Sequence, residues 1–361
     1  MHPVRVDVQT STGAYAVLLG HGLSGRLGQV LDDHAVGARR FVVTNPVVWR
    51  LHGDAVAAGL PGVEVIQVPD GERHKHLATV ARIYDALVRG RADRGSVVVA
   101  VGGGVIGDMA GFAAATFLRG IALVQVPTTL LAQVDASVGG KVGVNLPAGK
   151  NLVGAFYPPR LVVTDPQVLG TLSRREFRAG LYEVIKYGMA CSAPLFATLQ
   201  ADTKRLADPA GDSLVPIITE CCRIKAGIVS ADERESGIRR VLNFGHTAGH
   251  AIEALTGYRR FRHGEAVAWG MLVASQLAVM RGVLRREALT ALEALIMTLG
   301  PLPNVADLQA AQIIEGMRHD KKVVNGTLHV VLPTGVGTST VADDVSEQEF
   351  ADALTRVGLT A

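Results

Sequence analysis

The chain of 361 residues has only three cysteines, Cys191, Cys221 and Cys222. The count is odd, two are adjacent and no C-x-x-C pair occurs, which excludes a disulfide framework and argues for reduced thiols in the cytoplasm. No run reaches the ~18 apolar residues of a membrane span. The longest candidate, Ser96 to Leu118, is broken by Asp108. The first residues, Val4-Arg5-Val6-Asp7-Val8, alternate like a half-exposed strand and lack the apolar core of a signal peptide. Charge is sparse too. Charged residues make up 19% of the chain, against about 25% in an ordinary globular protein. The balance is 36 − 33 = +3. Basic residues come in scattered pairs (Arg39-Arg40, Arg174-Arg175, Arg239-Arg240, Arg259-Arg260), with no long tract and no interleaved aromatics. That argues against nucleic acid as a partner and for a small anionic ligand. Internal repeats and low-complexity linkers are also missing.

What is present is apolar residue, 48%, and glycine, 41 residues. Eleven glycines fall between positions 102 and 154. A local excess of this kind marks backbone that turns tightly or approaches a ligand closely. At about 100–200 residues per domain, the length predicts two domains.

The first half alternates. Short β-branched runs lie at 41–44, 63–68, 97–101, 121–126 and 161–164, and the clearest helical pattern between them is 77–88. Strands alternating with helices predict a largely parallel sheet, and the wholly apolar runs at 97–101 and 121–126 predict strands buried on both faces. Beyond about residue 170, helical periodicity dominates, at 174–191, 212–231, 246–255, 265–280, 286–299 and 305–318. Asn325-Gly326 predicts a small hairpin between 323–324 and 328–332. The expected architecture is an α/β Rossmann-like domain over 1–167 and a mostly helical domain over 168–361, with the active site in the cleft between them.

Five motifs carry chemistry. Gly102-Gly103-Gly104-Val105-Ile106-Gly107-Asp108 follows an apolar strand and opens a helix. It has the G-x-G-x-x-G form that cradles a pyrophosphate, but no acid follows some twenty residues on, so it is a variant dinucleotide site or a tight turn. Asp70-Gly71-Glu72-Arg73-His74-Lys75 follows another strand, as a ribose contact or a charged turn. Lys141 and Lys150 sit among glycines, in loops suited to phosphate or carboxylate. His246 and His250 stand at i, i+4, His263-Gly264-Glu265 opens the next helix, and Glu183-Val184-Ile185-Lys186 pairs a carboxylate with an ammonium. Two imidazoles and a carboxylate with an open position suit catalytic Zn²⁺, although spacing leaves open which two histidines bind. Lys225, Glu235 and Arg239 belong to what reads locally as a solvated charge run.

Together these blocks, with Pro127-Thr128-Thr129 through Asp135-Ala136-Ser137-Val138-Gly139-Gly140-Lys141 and Asn243-Phe244-Gly245-His246, resemble the 3-dehydroquinate synthase family of the shikimate pathway. The resemblance runs from about residue 40 to 335. It implies a carbon–oxygen lyase that uses NAD⁺ and one divalent metal, Zn²⁺ or Co²⁺. That enzyme converts 3-deoxy-D-arabino-heptulosonate 7-phosphate to 3-dehydroquinate and phosphate. The steps it implies are transient oxidation, β-elimination, reduction and intramolecular aldol closure. It implies Glu183, His246 and His263 as metal ligands, which moves His250 to the substrate side. It places Asp70, Gly71, Glu72, Lys75, Gly104, Val105, Ile106, Gly107, Asp108, Thr128, Thr129, Asp135, Lys141, Lys150, Val168, Leu169, Gly170 and Thr171 on NAD⁺. Substrate-binding or catalytic positions fall on Lys141, Asn151, Lys186, Lys225, Glu235, Arg239, Asn243, His250 and one of Lys321 and Lys322. Arg119 matches an arginine that reaches a neighbouring subunit, which implies a homodimer. Thr44-Asn45-Pro46 departs from a more usual Asp-containing ribose contact. Most of the glycine cluster is then expected to face ligands. Two rivals keep the fold: cyclases making 2-epi-5-epi-valiolone or 2-deoxy-scyllo-inosose, and a metal-dependent polyol dehydrogenase. A metal-stabilised scaffold would leave the nucleotide-like loops unexplained.

Overall fold

A computed structural model describes residues 3–206, 208–209, 211–318, 323–324 and 327–361. Lys321 and Lys322 lie outside the described residues. In chain order the first elements are β1 (Val4–Thr10), β2 (Gly13–Leu19), α1 (Leu27–Asp33), β3 (Arg40–Thr44), α2 (Pro46–Gly59), β4 (Glu64–Gln67), α3 (Leu77–Arg89), β5 (Val97–Gly102), α4 (Gly104–Thr116) and β6 (Ala122–Pro127). They are followed by β7 (Lys141–Leu146), β8 (Gly149–Phe156), β9 (Leu161–Thr164), α5 (Arg174–Cys191), α6 (Ala193–Ala201), α7 (Thr203–Leu206) and α8 (Leu214–Ala231). The chain closes with α9 (His246–Leu255), α10 (His263–Met280), α11 (Arg286–Thr298), α12 (Ala310–Arg318), β10 (Val323–Val324), β11 (Thr327–Leu328), β12 (Val330–Gly335), β13 (Thr338–Ala342) and α13 (Glu347–Val357).

Contacts divide the chain into two compact units, Met1–Ser173 with Pro209–Arg234, and Arg174–Asp208 with Glu235–Ala361. These units differ from a single cut at 167/168 chiefly in α8. That helix packs on β1, and it holds a π-helical turn at Ala132–Ala136 through Lys225 and Cys222.

The first unit is built on a seven-stranded sheet of order β1-β2-β9-β6-β5-β3-β4, antiparallel only between β1 and β2. Alternation explains the apolar runs. Val42, Val97, Val99, Val101, Val124 and Val126 point to one face with Leu27, Leu31 and Val56 of α1 and α2. Phe41, Val43, Val98, Ala100 and Leu123 point to the other, with Ile83, Leu87, Met109 and Ala113 of α3 and α4. A strand with helices on both sides has no polar face to show. The chain runs outward from β3 to β4 and the other way from β5 to β6, so the topological switch lies between β3 and β5. In such sheets ligands bind beyond the carboxyl ends of the strands at this point.

One expectation is corrected here. The segment carrying Lys141 and Lys150 is not a pair of loops but an antiparallel hairpin, β7–β8. The glycines there permit strand pairing. A Cβ on Gly154 would come within 2.3 Å of the Val142 carbonyl oxygen. Some glycines of the cluster also serve protein packing. A Cβ on Gly102 would lie 2.6 Å from Ile106 Cβ, and one on Gly107 2.7 Å from Gln125 Oε1.

In the second unit α10 is the central helix. It packs against α5, α9, α11, α13 and β12, and an all-round apolar helix belongs in such a position. Near the end, β10 pairs with β11 as the Asn-Gly signal predicts, but Val330–Gly335 pairs instead with Thr338–Ala342.

Candidate nucleotide and metal sites

In the first unit the expected nucleotide residues follow successive strand ends. Asp70 to Lys75 come after β4, Gly104 to Asp108 after β5, Thr128 and Thr129 after β6, and Val168 to Thr171 after β9. Among the described residues no side chain caps the start of α4. Its first-turn N–H groups and dipole are therefore available for an anion, which fits a pyrophosphate. Ile106, Val168 and Leu169 are buried, and Gly107 packs on the Gln125 amide, which donates to its carbonyl at 3.2 Å. Thr171 donates to the Val168 carbonyl and pairs with His52 Nε2 at 3.0 Å.

Lys75 is buried, and its Nζ donates to Asp108 Oδ2 and to Asn151 Oδ1, both at 2.5 Å. Burial opposes its charge, but the carboxylates of Asp108 and Glu72 outweigh burial and raise its pKa. The lysine stays an ammonium. Asn45 caps α2 and donates to Asp70 Oδ1 at 2.9 Å, so the residue that replaces an expected acid orients one instead. Lys225 sits 7% exposed, with Nζ 2.7 Å from the Asp135 carbonyl and paired with its carboxylate. Lys141 and Arg119 are exposed, and Lys150 is half-buried. Leu118, Arg119 and Gly120 all have positive φ, at 50°, 68° and 123°.

The second unit holds the metal candidate. Glu183 is fully buried on α5, His246 and His250 share a face of α9, and His263 starts α10. The donor nitrogens of the three histidines lie within 4.8 Å of one another. Glu183 Oε1 is 3.6 Å from His246 Nε2 and 3.4 Å from His263 Nε2. Each of those two rings has its other nitrogen at an acceptor. His246 Nδ1 is 3.1 Å from the Phe244 carbonyl, and His263 Nδ1 is 3.1 Å from Glu253 Oε2. Such partners fix the tautomer that offers Nε2 to a metal. Burial opposes charging His263, but Glu253 and Glu183 outweigh it and raise its pKa to about 10. The surroundings thus favour positive charge at that point, and the donor set fits a divalent cation. Lys186 Nζ lies 2.5 Å from Glu183 Oε2.

Within this unit Asn243 Nδ2 donates to Glu235 Oε1 at 2.5 Å, and Glu235 adopts φ +61°. Arg239 is 2% exposed. The solvated-run reading of Lys225, Glu235 and Arg239 is therefore corrected, because Lys225 and Arg239 are buried and Lys225 and Glu235 are paired.

The sequence reading missed Glu253. Its signal was present: 246, 250 and 253 stand at i, i+4 and i+7, one helical face. Glu265, read from the sequence only as part of the His263-Gly264-Glu265 motif, is fully buried and accepts from Arg175 Nε and Nη2 at 2.7 Å each and from the Arg262 N–H at 2.8 Å. Arg175 and Arg178 on α5 thereby grip the start of α10, beside His263.

Residues 65–179 match the family described as 3-dehydroquinate synthase N-terminal, and residues 180–323 match 3-dehydroquinate synthase C-terminal. The chain belongs to the 3-dehydroquinate synthase family. A 3-dehydroquinate synthase of Synechococcus sp. (strain CC9605) is 47% identical, with 99% of this chain and 98% of that protein covered. The 3-dehydroquinate synthase of Nostoc punctiforme is 46% identical over 94% of this chain and 96% of its own. Among solved structures, 2-epi-5-epi-valiolone synthase from Streptomyces hygroscopicus with NAD⁺ and Zn²⁺ bound superposes with a TM-score of 0.88. It is 29% identical, over 95% of this chain and 96% of that one. A 2-deoxy-scyllo-inosose synthase complexed with carbaglucose-6-phosphate, NAD⁺ and Co²⁺ gives 0.87 at 26% identity, over 98% and 100%. The family assignment makes the chain a carbon–oxygen lyase of aromatic biosynthesis.

Proposed function

We propose that this member of the 3-dehydroquinate synthase family acts on 3-deoxy-D-arabino-heptulosonate 7-phosphate, with NAD⁺ and one divalent metal, Zn²⁺ or Co²⁺. The observation that carries the reading is the buried Glu183 carboxylate facing two imidazoles whose far nitrogens are already held. When bound, NAD⁺ supplies a reversible hydride acceptor and the divalent cation supplies a Lewis acid at the substrate oxygen. Glu183, His246 and His263 hold the cation. His250, on the same face of α9, stands on the substrate side and accepts the hydroxyl proton at an imidazole nitrogen. Lys141, Asn151 and Arg119 bind phosphate, and Arg239 binds the carboxylate, for which a guanidinium fork is suited. Lys186, Lys225, Glu235, Asn243 and Lys321 or Lys322 complete the set around the substrate. Aldol closure needs mainly a held conformation.

A cyclase acting on a sugar without a carboxylate has less use for a buried Arg239. The relatives named 3-dehydroquinate synthase are 43–47% identical across nearly the whole chain, against 26–29% for the other cyclases. Both comparisons favour the first reading. Chelation should abolish phosphate release and added Zn²⁺ or Co²⁺ should restore it. Full turnover by metal-free protein would remove the ligand assignment.

The reading includes a cytoplasmic homodimer. Its supports are the low, odd cysteine count with no C-x-x-C pair and the match of Arg119, an exposed residue, to a family arginine that reaches a neighbouring subunit. Mixing Arg119→Ala and Lys141→Ala subunits should recover part of the activity. No recovery in mixed dimers would count against a shared site.

A further inference from the structure

We propose that Asn145 is a positioning residue that ties the nucleotide loop to the Lys150–Asn151 segment, so that dinucleotide and phosphate reinforce each other's binding. The inference rests on the assignment of those two sets made above.

The hairpin is irregular at this residue. Its register runs from Lys141↔Phe156 to Val144↔Val153 and then jumps to Leu146↔Gly149. Asn145 therefore stands opposite three residues, Lys150, Asn151 and Leu152. A bulge of this kind re-aims side chains and recurs beside functional sites. Asn151, at its centre, has φ +52°, a conformation that asparagine visits more readily than most residues.

Asn145 satisfies both sides of the irregularity. Its Oδ1 accepts the Asn151 N–H at 2.8 Å, and its Nδ2 donates to Glu72 Oε1 at 2.8 Å. Only one orientation of the amide meets both partners. The opposite one would set oxygen against a carboxylate and NH₂ against N–H. The Asn145 N–H also donates to the Lys75 carbonyl at 2.8 Å. Lys75 Nζ closes the ring by donating to Asn151 Oδ1 and to Asp108 Oδ2. A ligand that fixes Glu72 and Lys75 therefore fixes the backbone that presents Lys150 and Asn151. Thermodynamic linkage makes the effect reciprocal.

The test is calorimetric titration of the full-length, zinc-loaded protein with NAD⁺, with and without saturating inorganic phosphate, and the converse. In the wild type each ligand should tighten the other by the same factor, about fivefold or more. Asn145→Ala should reduce that factor to about one while NAD⁺ still binds. The isosteric Asn145→Asp keeps the acceptor for Asn151 but faces Glu72 with a second carboxylate. It should weaken NAD⁺ and also lose the coupling, and it carries the test if the alanine variant does not fold. Independent binding in the wild type, or unchanged coupling in a folded variant, would overturn the inference. Wild-type protein that binds neither NAD⁺ nor phosphate would overturn the nucleotide and phosphate assignment itself, and the inference with it.

Discussion

Gly270→Ala is the substitution for which packing and site geometry make the most demanding prediction. A Cβ at Gly270 of α10 would stand 1.8 Å from the Gly245 carbonyl oxygen and 2.9 Å from the Gly249 nitrogen. Both are backbone atoms of the segment carrying His246 and His250, so no side chain can rotate away. Contact at about 3.3 Å requires α9 and α10 to separate by about 1.5 Å. Overpacking of this kind costs about 3 kcal/mol, the upper end of its usual range. The better helix propensity of alanine returns about 1 kcal/mol. The net, about 2 kcal/mol, lowers the melting temperature by about 4–8 °C at the usual scaling. The site suffers more than the fold, because a displacement of ~1 Å in a catalytic constellation costs about 10²-fold. Calorimetric melting with metal analysis of the same samples provides the assay. Gly227→Ala on α8 is the control. Among the described residues nothing lies within 4 Å of a Cβ placed there, so it should gain about 0.5–1 kcal/mol. A Gly270→Ala protein that melts with the wild type and retains its metal would refute the close-packing argument.

Two further perturbations follow from single contacts. Glu253→Ala frees the Nδ1 side of His263 and should weaken metal binding about 10–100-fold, measured by competition with a chromophoric chelator; unchanged affinity would mean Glu253 does not orient the ligand. Glu349 accepts from Arg281 and from Ser346, which pull its pKa down from 4.5 to about 2. A depressed carboxylate stabilises above its unfolded pKa, and that contribution is lost as the pH falls from about 4.5 through about 2. The side chain is 35% exposed, so solvent screening cuts the full shift to about 1 kcal/mol. Glu349→Gln should therefore melt lower than the wild type at pH 7, with the gap closing toward pH 3. A gap independent of pH would show that the ion pair is not its source.

Much of the fold was legible because burial on both faces leaves a simple signature. The runs at 41–44, 97–101 and 161–164 coincide with strands to within a residue, and 174–191 and 246–255 match α5 and α9. Signals failed where composition and conformation part. β7 and β8 read as loops because glycine usually marks turns. Here Gly143 and Gly154 stand opposite one another, where two backbones approach too closely for a Cβ. The 305–318 pattern begins its helix only at Ala310, after Gln309 bridges to Thr360. Among the site residues, three histidines between 246 and 263 marked a metal candidate, while the choice of Glu183, His246 and His263 as its ligands came from the family resemblance and not from spacing. Asn145 carried no such signal. Its role arises from a bulge, which depends on register and has no composition of its own.

The central claim is an oxidation that is undone within each turnover. Metal-loaded protein given 3-deoxy-D-arabino-heptulosonate 7-phosphate and a trace of NAD⁺ should release one phosphate for each 3-dehydroquinate formed, far in excess of the NAD⁺ supplied, with no lasting NADH absorbance. NADH accumulating in step with substrate consumed, or phosphate released without 3-dehydroquinate, would contradict it.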